Sequence, residues 1–150
     1  METQSNTDFP LEQSARWNGL EVPIEIEPEE DGEVSPVQRE AVRLIQTLPP
    51  DILEKAAPVV VKNYETYREI YRDLLDDSDN PFRLPLARPA DVWKQVEAIS
   101  FFVPPHEGRV VPTFFLRAEC EWDPEHGLEV RFRNGVADIS SQQGELGIDD

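Results

Sequence analysis

The chain has 150 residues and carries 31 Asp and Glu against 14 Lys and Arg, a formal net charge of −17. A chain of that length fits one domain, which hides roughly 68–70% of the surface its unfolded form exposes. The charge argues against a nucleic-acid binder, because phosphate contacts need fields of Lys and Arg, and favours a basic protein as partner.

Residues 1–14 are polar, with Phe9 and Leu11 as the large apolar exceptions, and read as a disordered leader. A single domain is expected over 15–140, followed by an acidic flexible tail over 141–150. Acidity is concentrated in the flanks: residues 1–34 hold ten acids and one Arg. Such flanks suit a solvated tail, so removing residues 1–14 is expected to change solubility alone. Order should begin near Trp17, where Asn18-Gly19 can turn a hairpin. Leu20, Val22, Ile24 and Ile26 then alternate with polar residues and Pro23, the pattern of a strand with one buried face. Pro23 cannot donate to a ladder, which predicts a sheet edge. Pro28 to Val34 is an acidic loop.

Ser35-Pro36-Val37-Gln38 predicts a helix start, with Ser35 as cap, Pro36 at the first position and Gln38 completing a capping box. Val37, Ala41, Leu44, Ile45 and Leu48 share one face of that helix, which Pro49-Pro50 ends. Asp51 and Glu54 repeat the pattern for a second helix to about Leu75, kinked or divided by Pro58. Along it Tyr64, Tyr67, Tyr71 and Leu74 form a stripe at helical spacing, which reads as core packing. Asp76 to Pro89 is a loop, Ala90 to Gln95 makes short helical turns around Trp93, and Ile99 to Val103 is a strand. Pro104-Pro105-His106-Glu107-Gly108 turns into the next strand, whose Pro112 suggests an edge or a bulge. His106 has no evident acid or base partner in this loop and receives no role.

From Phe114 onward the period is two. Phe114, Leu116, Ala118, Cys120 and Trp122 should point inward, with Phe115, Arg117, Glu119 and Glu121 outward. Asp123-Pro124-Glu125-His126-Gly127 interrupts the pattern, Leu128, Val130 and Phe132 resume it, and Asn134-Gly135 predicts a type I′ turn. Helices grouped before strands argue for an α+β fold, a mainly antiparallel sheet with two to three helices packed on one face.

Two readings of the polar turn stand side by side. Glu119 and Glu121 lie roughly 7 Å apart on one strand face and, with Asp123 and His126, could ligate a divalent cation or supply acid and base for a small metal-dependent hydrolase. Alternatively Trp122, Asp123, Glu125, His126 and Gly127 build the turn itself: Asp123 accepts a backbone hydrogen bond, His126 holds the turn through its ring, and Gly127 supplies a positive φ. Arg117, Glu119 and Glu121 would then face Glu129, Arg131 and Arg133 as cross-strand charge pairs on a wet face. No zinc helix, calcium loop, nucleophile elbow, phosphate loop or dinucleotide fingerprint occurs, and no cofactor is expected. Cys120 stands alone, which leaves no internal disulfide; on the apolar side of its strand it reads as an inert core thiol. No apolar run approaches the ~18 residues of a membrane span and no signal peptide is evident, so a cytoplasmic protein is expected.

Cys120-Glu121-Trp122-Asp123-Pro124-Glu125-His126-Gly127-Leu128, followed by an apolar strand and Asn134-Gly135, resembles the signature of an uncharacterised bacterial domain family. In that family, a domain of unknown function, a Cys-x-Trp-Asp-x-Glu-His-Gly-Leu turn sits between C-terminal strands after a helical middle. The resemblance spans roughly Trp17 to Ile139; beyond it, Ser140-Ser141-Gln142-Gln143-Gly144 departs from the apolar strand such a family would carry. It implies a small cytoplasmic protein, and some similar acidic domains act as immunity proteins that neutralise toxins. The expectation is therefore a non-enzymatic interaction domain of immunity type for a basic partner such as a toxin, with the metal-dependent hydrolase as the alternative.

Overall fold

The computed structural model describes residues 9–71 and 88–149. Strands β1 (Glu12–Trp17) and β2 (Leu20–Ile26) form the first hairpin. Asn18 and Gly19 close it with φ of 52° and 80°, the left-handed backbone that these two residue types reach at least cost. The chain continues through α1 (Pro36–Gln46), α2 (Ile52–Tyr71) and a 3₁₀ helix (Pro89–Gln95), then β3 (Val96–Val103), β4 (Thr113–Cys120), β5 (Leu128–Arg133) and β6 (Val136–Ser141). All six strands lie in one sheet in chain order. Only β2 and β3 run parallel; the other neighbours are antiparallel. The helices occupy that one connection because parallel neighbours cannot be joined by a tight turn. The fold is α+β with a mostly antiparallel sheet.

Ser35 caps α1 and Gln38 completes the capping box, as the sequence predicts. Helix α2 runs unbroken through Pro58. The expected helix end near Leu75 and the loop from Asp76 to Ala87 lie outside the described residues, as do Leu74 and the Tyr71 side chain of the tyrosine stripe. Tyr64 is buried and Tyr67 packs at the margin of the core. A chain of rings crosses the sheet: Trp93 meets Trp17 edge-on at 5.1 Å, Trp17 meets Phe101 at 5.8 Å, Phe101 meets Phe114 at 5.7 Å, and Phe114 stacks on Phe132 at 4.8 Å. Ring edges against ring faces satisfy the aromatic quadrupole while filling the interior.

Three expectations need correction. Strand β1 starts inside the supposed leader, at Glu12, and the Leu11 carbonyl accepts from the Ile26 amide at 3.0 Å. Phe9 lies under the Arg39 guanidinium, while residues 1–8 are outside the described residues. Removing residues 1–14 would therefore take away half of β1. Second, β2 is interior rather than an edge; its ladder to β3 begins at Ile24, so the missing N–H of Pro23 interrupts no bond between them.

The third correction concerns the terminal ribbon. Phe114, Leu116, Ala118, Cys120, Trp122, Leu128, Val130 and Phe132 are buried as predicted, but so are Phe115, Glu129 and Arg131 on the opposite side. Residues 142–149, expected as a flexible tail, run back over that side. The amides of Gly144 and Leu146 donate to the Glu129 carboxylate at 3.2 and 3.3 Å. Arg131 donates to the Gly147 carbonyl and Arg133 to the Ile148 carbonyl, at 3.0 and 2.8 Å. What alternation alone assigns to water is thus covered by the chain's own next segment.

Candidate functional site

The turn between β4 and β5 places the predicted residues as follows. Trp122 is buried and its Nε1–H donates to Asn63 Oδ1 of α2 at 2.8 Å. Asp123, also buried, accepts the His126 amide on Oδ1 at 3.2 Å, and the same oxygen lies 3.0 Å from His126 Nδ1. That contact assigns the ring proton to Nδ1 when the imidazole is neutral, which leaves Nε2 on the half-exposed side of the ring. Gly127 has φ of +73°, and its amide donates to the Asp123 carbonyl at 2.9 Å. Glu125 is exposed. The turn is therefore closed by Asp123 from within, with His126 as its outer clasp.

The cation cage does not assemble. Among the described residues no three His, Cys, Asp or Glu side chains gather as a metal site. Glu119 faces Glu97 of β3 in register and is exposed, and Glu121 is exposed beyond the strand end. Cys120 supplies no nucleophile to the Asp123–His126 pair: it is buried, its thiol leans on the Asp123 carbonyl at 3.9 Å, and burial pushes its pKa up to about 12. One cross-strand pair of the structural reading does form, Arg117 Nε with Glu129 at 2.9 Å, and the Arg117 guanidinium also lies over the Phe102 ring. Arg131 instead pairs with Asp138 of β6.

A second polar constellation, of which sequence reasoning finds only the Ser35–Gln38 capping box, lies at the start of α1. Glu29, just past β2, accepts the Ser35 hydroxyl at 2.7 Å, the His106 amide at 3.0 Å and the Glu107 amide at 2.9 Å. Burial opposes its ionisation, but these donors outweigh it and hold the carboxyl below its ordinary value. Gln38, fully buried, donates to the Glu27 and Pro104 carbonyls. His106 is also fully buried. Its Nε2 accepts the Thr113 amide at 3.0 Å, so the proton sits on Nδ1 and is donated to the Pro104 carbonyl at 2.9 Å. These side chains tie the ends of β2, β3 and β4 to the start of α1. Their positions are scattered from 29 to 113, and beyond the capping box the one available signal was a histidine enclosed by prolines.

With both constellations placed, the whole chain can be compared with known families. A family model described as Domain of unknown function (DUF6985) matches residues 6–146. The chain belongs to the DUF6985 family. No curated protein and no solved structure matches it. The match takes in β1 and residues 142–146 of the segment that crosses the outer side of the ribbon.

The His106 geometry gives this DUF6985 domain a defined response to acid. Burial lowers the His106 pKa most; the Pro104 carbonyl and Glu29 oppose this, and Arg109 adds to the lowering. The unfolded chain then binds the proton more readily, so stability is fully present above about pH 6.5 and falls as the pH drops through and below that value. Glu29 acts in the same direction at lower pH, since a depressed carboxyl loses its contribution as it becomes protonated. The urea midpoint should therefore fall between pH 7.5 and pH 5.5. His106→Gln should flatten that fall; an unchanged slope would assign it to other groups.

Proposed function

We propose that this domain is a non-enzymatic protein-interaction module of the immunity type, working in a bacterial cytoplasm and meeting a basic protein, such as a toxin, through the carboxylates of its first hairpin. One observation carries the reading. Glu12 of β1 lies directly opposite Glu25 of β2, both exposed, with Glu27 exposed beside them and Glu21 exposed farther along β2, opposite Arg16. Among the described residues no Lys or Arg forms an ion pair with any of the four. Like charges facing each other across a strand pair are destabilising, and a cationic partner relieves that repulsion on contact. Complementary charge also raises the rate of encounter and rejects partners of the wrong sign. On this reading the helices pack on the sheet face away from the partner.

Glu25→Lys separates recognition from folding. It should stabilise the domain by about 0.2–1 kcal/mol, by turning a repulsive cross-strand pair into an attractive one, and should weaken the partner complex. Capture from the native host by the full chain and by this variant, at about 0.1 M salt where charges are felt over about 10 Å, tests it. A protein retained by both baits, and retained in high salt, would show that the hairpin carboxylates are not the contact. The hydrolase alternative draws no support from the geometry: Asp123 and His126 bond each other, but neither Glu119 nor Glu121 joins them as a third ligand.

A further inference from the structure

The outer side of β4, β5 and β6 carries a built cleft for an extended chain. Glu129, fully buried, uses both carboxylate oxygens: Oε1 takes Arg117 Nε and the Gly144 amide, and Oε2 takes the Leu146 amide. Alternate amides on one carboxylate mean that the bound segment is read by its backbone. Arg131, itself buried and braced by Asp138, and Arg133 donate to successive carbonyls, those of Gly147 and Ile148. At the far end Asp149 sits between two guanidinium groups, 2.5 Å from Arg109 Nε and 3.8 Å from Arg133 Nη2. Phe115, on the same outer side of β4, is buried.

We propose that this cleft is a binding site for an extended acidic peptide and that residues 144–149 occupy it as an intramolecular ligand. The contacts are those of ligand recognition: backbone amides on a carboxylate, backbone carbonyls on arginines, and one side-chain carboxylate held by two cations. Four arginines, 109, 117, 131 and 133, face the segment against three acids, Glu107, Glu129 and Asp138, so the cleft is locally cationic in a chain of net charge −17. An acidic occupant is therefore selected by charge as well as by shape. A partner presenting a segment with an Asp at the place of Asp149 competes with an occupant whose effective concentration is about millimolar, so it must bind tightly or arrive tethered. This site is separate from the carboxylate hairpin and opposite to it in charge.

The test cuts the tether in the folded protein. A site for a specific protease is inserted between Ser141 and Gln142 of the full chain, the protein is cleaved, and a fluorescein-labelled peptide of residues 142–149 is offered. The nicked protein should stay folded by circular dichroism and take up the peptide by polarisation, whereas the uncut protein should take up at least tenfold less. A peptide with Asp149→Arg, or a nicked protein with Arg133→Glu, should lower the affinity at least tenfold. Unfolding on loss of the segment would make residues 142–149 a part of the core and overturn the proposal. A folded nicked protein that ignores the peptide, or that binds the Asp149→Arg peptide equally well, would overturn it too.

Discussion

Trp122→Ala should cost about 3–5 kcal/mol of folding free energy in chemical denaturation, the range for emptying a buried aromatic site. The indole is only 3% exposed, meets the Tyr64 ring edge-on at 5.3 Å, and gives its N–H to Asn63 at 2.8 Å. Tyr64 and Asn63 both belong to α2, so the substitution removes more than volume. It releases a side-chain bond that holds that helix to the rest of the fold; others run from Trp93 Nε1 to the Leu53 carbonyl and from the Ser140 hydroxyl to the Val59 carbonyl. Trp122→Phe keeps most of the apolar volume and loses the bond to Asn63. It should fall well short of the alanine effect, because a net hydrogen bond is worth about 0.5–1.5 kcal/mol. A melting temperature unaffected by Trp122→Ala would mean that the ring is bare and that the ribbon's sides are assigned the wrong way round.

The inward side of the ribbon was legible because burial repeats every second residue, and Phe114, Leu116, Ala118, Cys120 and Trp122 are all buried. The capping box at Ser35 and Gln38 was legible because its residues are neighbours and bond one another. The outward side was not. Nothing local distinguishes Glu129 in a dry site from Glu119 in water; the difference is that Gly144 and Leu146 return to the first, while no segment among the described residues covers the second. Pro23 misled for a related reason, since a proline is tolerated inside a sheet where the neighbouring ladder has not yet begun. His106 shows the same limit at the candidate site. Its partners come from its own loop and from Thr113, while Glu29 reaches the same loop from 77 positions away, a contact that chain order alone does not express. The inner closure of the turn was readable because Asp123, His126 and Gly127 bond one another within five residues.

That turn also sets the second large effect. Gly127→Val should destabilise by about 2–5 kcal/mol, and two causes add. Any residue with a Cβ pays about 1–2 kcal/mol in the left-handed region, and Gly127 has φ of +73°. The new Cβ would also stand 2.8 Å from the Ala118 carbonyl and 2.7 Å from Gln143 Nε2, and forcing atoms into a packed site costs about 1–3 kcal/mol. Gly19→Val isolates the first cause, because Gly19 has φ of +80° with nothing within 4 Å of the same position; equal losses at the two sites would remove the steric cause. The Ala118 carbonyl belongs to β4 and has little room to yield. Gln143 can swing aside, but its Nε2 is bonded to that same carbonyl at 2.7 Å, so moving it unfastens the start of the segment that covers Glu129. Gly127→Val should therefore make residues 142–149 more open to limited proteolysis under conditions where the sheet stays folded, and Gly19→Val, at the opposite end of the strand order, should leave that cleavage unchanged.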